Sequence, residues 1–166
     1  MTVSVFSDLA ALPQRRGPLA LAALILAADQ ATKWWIVNQV MAPPRVIEVT
    51  PFFNIVMVWN QGVTFGLLGM GGEAMRWLLT ALSLAIVTVL LVWLGRTERP
   101  LSGLAIGAVI GGALGNVVDR VLLGKVADFL DFHLAGWHWP AFNVADSAIV
   151  CGVVLIVFDS FRDESN

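Results

Sequence analysis

Four stretches of this chain are long and apolar enough to cross bilayer hydrocarbon, which takes about 20 helical residues. They cover about 18–40, 74–95, 101–123 and 142–161. The second carries no charge between Trp77 and Leu94, and the third is rich in glycine. The first is interrupted by Asp29 and Lys33, and the fourth holds Asp146 near its start and Asp159 near its end. A chain of 166 residues makes one domain, here 1–166, and its core could not hide an apolar share of 58%. Charged residues make up only 13%, against roughly 25% in soluble domains. Mean hydropathy is +0.80. These values exclude a cytosolic enzyme, a disordered regulator and a disulfide scaffold. A net charge of −2 and one cysteine, Cys151, leave no basic patch for nucleic acid and no multi-cysteine metal or redox site. The expected fold is an integral membrane all-α bundle of four transmembrane helices.

Four spans put both termini on one side. Arg15, Arg16, Arg96, Arg99 and Arg162 lie at that end, and Arg45, Arg76 and Lys125 at the other, with Lys33 and Arg120 inside or at the edge of spans. The positive-inside rule makes the termini cytoplasmic. Trp77 and Trp93 bracket the second span, 16 residues apart, or about 24 Å at helical rise, as interface anchors do. Trp34, Trp35, Trp137 and Trp139 fall toward the outer side. Residues 1–28 have features of a signal peptide, but the apolar pattern resumes through Trp34, Trp35, Ile36 and Val37, so an uncleaved first span is expected.

The stretch 44–68 reads differently. Val46-Ile47-Glu48-Val49 and Phe52 to Trp59 are β-branched and aromatic, broken by Thr50-Pro51 and Asn60-Gln61-Gly62. That pattern predicts a small antiparallel β-sheet on the outer surface.

Charges inside spans cost roughly 2.5–3.5 kcal/mol each on the insertion scale, so each calls for a reason. Asp29 and Lys33, four apart on one helix face, can neutralise each other or touch a substrate. Gly103, Gly107, Gly111 and Gly115 form a stripe at four-residue spacing, which lets another helix approach closely. Asn116 and Arg120 continue its face into the bundle interior, beside Asp119.

Asp128 follows the third span, and Asp146 sits about four residues into the fourth. The two spans form a hairpin, so these carboxylates can converge at the outer interface, with Asn143 on the same helix face as Asp146. Close carboxylates share one proton, and one can serve as general base while the other serves as general acid. Helix capping is the plainer role for such aspartates. A zinc protease finds no His-Glu-x-x-His here. His133 and His138, near Asp128 and Asp131, lack standard metal spacing and read as interface residues. Ser147 and Ser102 lack a nucleophile-elbow context, and Cys151 reads as core packing.

In these residues the chain resembles the bacterial lipoprotein signal peptidases, or signal peptidase II. The blocks are Asp29-Gln30-Ala31-Thr32-Lys33, Asn60 to Gly66, Gly115 to Arg120 with Val126-Ala127-Asp128-Phe129, and Phe142 to Ser147. Departures are Thr64, where alanine is usual, and Ala127, where valine is common. The resemblance implies a β-sheet cradle and a short outer helix between the last two spans, within 124–141. It implies Asp128 and Asp146 as catalytic dyad, with Asp29, Lys33, Asn60, Gly62, Asn116, Arg120 and Asn143 around the dyad and substrate. It further implies cleavage of a diacylglyceryl-modified prolipoprotein just before the lipidated cysteine, at the extracytoplasmic face of the bacterial inner membrane. The expected partners are that substrate and membrane lipid, for a monomer without metal or cofactor. The competing reading is a small proton-coupled transporter using the intramembrane charges as a relay. Such relays sit near the midplane and often accompany repeated halves, which this chain lacks. The 129–141 stretch, with Gly136, is a candidate gate.

Overall fold

Inside lipid a backbone must close its hydrogen bonds within the protein, and a helix does so within its own segment. The computed structural model, which describes residues 13–62 and 72–163, shows that solution four times over. Helix α1 spans Pro13–Trp35 and continues as a π-helical turn at Ile36–Val40; α2 spans Gly72–Leu94, α3 Pro100–Leu123 and α4 Val144–Asp163. All four are long and apolar enough to cross a membrane. The expected span ends shift by no more than a few residues.

Helix α3 is the central element: 72% of its most apolar window is buried, against 11–22% in the other three. Its glycines explain why. A Cβ on Gly111 would stand 2.9 Å from the Cα of Ala22, and one on Gly107 would strike the backbone at Pro18, so the stripe seats α1 against α3. Gly112, outside the stripe, admits α4 instead, and its added Cβ would meet Ile149 at 2.9 Å. Val87, Leu90, Leu94, Ile106, Val109 and Ile110 complete the core between α2 and α3. Cys151 does not join that core: it is exposed on α4, because the small residue facing α3 there is Gly152.

At the end where α1 stops and α4 begins, four strands form one antiparallel sheet in the order β1-β2-β3-β4. β1 (Ile47–Thr50) and β2 (Phe53–Asn60) come from the first connection, as the β-branched pattern requires. β3 (Val126–Leu134) and β4 (Trp137–His138) come from the connection between α3 and α4. Two strands therefore stand where the resemblance implies a short helix. The physical reason is pairing: β3 lies against β2 over nearly its whole length, from Asn60↔Val126 to Phe53↔Phe132. Ala135 and Gly136, both with positive φ, turn the chain from β3 into β4. The sheet is fastened to the bundle through Phe129, packed with Ile36 and Met41 from the end of α1. The parts of the expected sheet at 63–68, including Thr64, Phe65 and Gly66, lie outside the described residues.

At the opposite end Arg15 donates to the carbonyl of Gly95 just past α2, where the helix dipole favours a cation. Ser102 donates to Asp159, which ties α3 to α4.

Candidate active site

The site lies where the sheet meets the helix ends. Asn143 is the N-cap of α4, and it forms a reciprocal capping box with Asp146. The Asp146 N–H donates to Asn143 Oδ1 at 2.9 Å, and the Asn143 N–H donates to Asp146 Oδ2 at 3.1 Å. Asp146 thus stands in the first turn of α4, slightly nearer the helix start than its spacing suggests. The capping role and the convergence with Asp128 are compatible, because the cap also reaches outward. Asn143 Nδ2 donates to Asp128 Oδ1 at 2.7 Å, so one fully buried asparagine touches both carboxylates.

Asp128 is 1% exposed on β3. Its Oδ2 accepts from Asn60 Nδ2 at 3.0 Å, and the Gly62 N–H fixes that amide by donating to Asn60 Oδ1 at 2.8 Å. Gly62 has φ +96° and packs on Met75 and Leu79, so its position has no room for a side chain. Burial, with the Asp146 charge adding to it, lifts the Asp128 carboxyl to about 6, and the Asn60 and Asn143 donors oppose the rise. Asp146 is only half-buried, and its Oδ1 accepts from Asn116 Nδ2 at 2.7 Å.

Behind the pair lies a buried polar network. Lys33 Nζ meets Asp29 Oδ2 at 2.9 Å, Asp119 Oδ2 at 3.1 Å and Asn116 Oδ1 at 3.0 Å. That last bond dictates the orientation of Asn116: with its oxygen on the ammonium, its NH2 must face Asp146. Asp29 Oδ1 accepts the N–H of Ala145 at 2.9 Å, anchoring the start of α4. The added Cβ at Gly115 would stand 2.5 Å from Asp29 Oδ2, so the last glycine of the stripe makes room for this carboxylate. Arg120 reaches the carbonyl of Asn116 at 3.4 Å and lies within electrostatic range of Asp146, Asp128 and Asp119. The residues expected around the dyad, Asp29, Lys33, Asn60, Gly62, Asn116, Arg120 and Asn143, therefore gather with Asp128 and Asp146 at this junction.

Two further members escaped the sequence reading as site residues. Asp119 Oδ2 accepts the Ala127 N–H at 3.1 Å, one residue before Asp128, and its Oδ1 accepts from Gln30 Nε2 at 2.9 Å. Gln30 also donates to the Gly115 carbonyl. Both stand inside motif blocks, and an acid between Asn116 and Arg120 on a buried helix was the available signal. His133 and His138 join no metal cluster among the described residues. Instead His138 Nδ1 pairs with Asp131 at 2.9 Å. Burial pushes the Asp131 carboxyl up, but bonds from His138 and Asn54 outweigh it and hold the group below the usual range.

Fold and site together define a multi-pass membrane protein with a paired-carboxylate centre beneath a small sheet. The family model for signal peptidase (SPase) II matches residues 21–162. The chain belongs to the signal peptidase II family, whose members are peptidases. It is similar to the lipoprotein signal peptidase of Methylorubrum extorquens (strain PA1), 47% identical over 151 residues that cover 89% of this chain and 86% of the relative. The lipoprotein signal peptidase of Burkholderia thailandensis is 42% identical over 145 residues, 87% of each chain. A bacterial membrane enzyme structure solved by the in meso method at 2.3 Å resolution superposes with TM-score 0.76 at 32% identity, over 90% of both chains. The transporter reading finds no support in these relatives. The intramembrane charges it relied on are occupied with one another.

Proposed function

We propose that this protein is an aspartic endopeptidase that removes the signal peptide from diacylglyceryl-modified prolipoproteins, cutting just before the lipidated cysteine. The observation that carries the reading is Asn143, hydrogen-bonded to Asp128 through its side chain and to Asp146 through its backbone. An asparagine so placed holds two carboxylates at one reacting centre.

Asp128, the more buried carboxyl and lifted to about 6, is the acid of the pair. Asp146, open on one side and held by Asn116, is the base. It takes a proton from a water whose oxygen adds to the scissile carbonyl carbon. Asp128 gives its proton to the carbonyl oxygen, leaving a neutral diol. Asp146 then passes its proton to the amide nitrogen, the C–N bond breaks, and one diol hydroxyl returns a proton to Asp128. The products are a carboxylic acid on the signal peptide and a free amine on the cysteine. Arg120 and the amides of Asn60 and Asn116 supply positive potential around the developing charge. The chemistry draws on these side chains and water and on no cofactor.

A signal peptide crosses the membrane as a helix with its cleavage site near the outer face. The reading therefore puts the sheet on the extracytoplasmic side of the bacterial inner membrane and both termini in the cytoplasm, with the protein acting as a monomer. Purified protein in liposomes should cleave a diacylglyceryl-modified precursor and leave the same precursor, unlipidated, intact. Equal cleavage of both forms, or of neither, would overturn the substrate assignment.

A further inference from the structure

Beyond the dyad the sheet forms the wall of an open apolar cleft. Side chains on β3 alternate between faces, so Asp128, Phe132 and Leu134 emerge on one side and Asp131 and His133 on the other. Cross-strand partners extend both faces: Phe53 stands opposite Phe132 and Trp137 opposite Leu134, while Asn54 stands opposite Asp131 and His138 opposite His133. On the Asp131 side the buried carboxylate is bonded to Asn54 Nδ2 at 3.0 Å and to His138 Nδ1 at 2.9 Å. These bonds fix β4 on β3. The Asp128 side ends in an open cleft of about 430 Å³ walled by Phe52, Phe132, Leu134, Trp137, Trp139 and Phe142, with His133 at its edge. The walls are ordered by ring contacts, Phe132 with Phe53 at 4.8 Å and with Phe142 at 5.9 Å, and Trp137 edge-on to Trp139 at 5.8 Å. Yet Trp137 remains 63% exposed and Leu134 74%.

We propose that this cleft receives an acyl chain of the substrate's lipidated cysteine. The inference rests on the peptidase reading above. Two observations select the occupant. The walls offer hydrocarbon and ring faces with almost no polar atom, which match an acyl chain and give a peptide's amides nothing to bond. The cleft also lies on the side of β3 that carries Asp128: Leu134 is six positions further along the strand, about 20 Å, and Phe142, on the cleft wall, directly precedes Asn143. A cysteine seated just past the scissile bond can thus lay hydrocarbon along the face that carries Asp128.

The test uses full-length protein in liposomes and a precursor bearing dibrominated acyl chains, which quench nearby indoles. In an Asp146→Asn background that holds the precursor uncleaved, the emission contributed by Trp137 and Trp139 is obtained by difference against Trp137→Phe/Trp139→Phe. The proposal expects at least a twofold loss of that emission with brominated precursor, and no loss with brominated bulk phospholipid alone. Quenching by bulk lipid without precursor makes the cleft a bilayer contact and overturns the proposal, as does quenching by neither. Kinetics give an independent arm. In the parent, KM should rise about twofold when the acyl chain is made too short to reach the cleft, a modest effect because the chain leaves bilayer hydrocarbon and not water, and Phe132→Ser should flatten that dependence. A parent that cleaves with KM indifferent to chain length removes the acyl site and leaves the peptidase standing. A parent that does not cleave removes both.

Discussion

Asn143 is the residue on which the site turns, since it caps α4 and touches both carboxylates. Its neighbours set the protonation. Asp128 is lifted to about 6, and as the acid partner it works only while protonated. In the free enzyme kcat/KM should therefore fall as pH rises through a limb near 6. The Asn60 donor stabilises the carboxylate form, so Asn60→Ala should move that limb to higher pH; a limb that moves down or stays fixed contradicts the assignment. Asp119 positions rather than reacts. It holds the Ala127 N–H one residue before Asp128, and Asp119→Asn puts an NH2 where an acceptor is needed. We expect kcat to drop on the order of tenfold to a hundredfold, with KM little changed, as for a misplaced reacting group. Lys33→Met leaves Asp29 and Asp119 buried without their cation and should cost roughly 3–5 kcal/mol in thermal or denaturant stability. Asp29, Lys33, Asn116 and Arg120 stood out in the sequence as polar side chains in lipid-facing spans, whereas Asn60 and Gly62 lie outside the spans and were named through the family resemblance. Asp119 and Gln30 were not named as site residues because their bonds to the Ala127 N–H, the Gly115 carbonyl, Lys33 and each other form only once α1, α3 and β3 pack together.

The elements divide by how local their causes are. Helices announce themselves through runs of apolar residues, and the glycine stripe foretold close packing, with α1 as the partner. A side chain at Gly111 would collide with Ala22, so Gly111→Val should destabilise by about 1–3 kcal/mol. Gly17→Ala, with nothing within 4 Å, should be neutral or slightly stabilising in the same melts. β3 was hidden for the opposite reason. Its partner β2 lies far away in sequence, and burial of both faces near Asp128 erases the alternation of a half-exposed strand. The turn after it offers a direct check. Ala135 holds φ +50° ahead of Gly136, a conformation that asparagine tolerates better. Ala135→Asn should raise the melting temperature; a drop would mean that the turn is held otherwise.

At the scale of the molecule, two helical connections meet as one sheet over the end of the bundle, and neither half alone contains the site. Asp29 and Lys33 come from α1, Asn60 from β2, Asn116 and Arg120 from α3, Asp128 from β3, and Asn143 and Asp146 from the start of α4. Such a centre forms only in the assembled bundle, which is why its members looked separate in the chain and became one site through topology. The same topology puts the start of α1 and the end of α4 at one end of the bundle; with the orientation proposed above, a reporter fused after Asn166 should be active as a cytoplasmic fluorescent fusion and silent as an exported phosphatase. The central claim is that two carboxylates carry the cleavage, and the most direct measurement is the turnover of Asp128→Asn and Asp146→Asn on lipidated precursor in liposomes. Each substitution should cut the rate by roughly 10²–10⁴-fold while both proteins insert and melt like the parent. Near-parental cleavage by either variant would contradict the dyad.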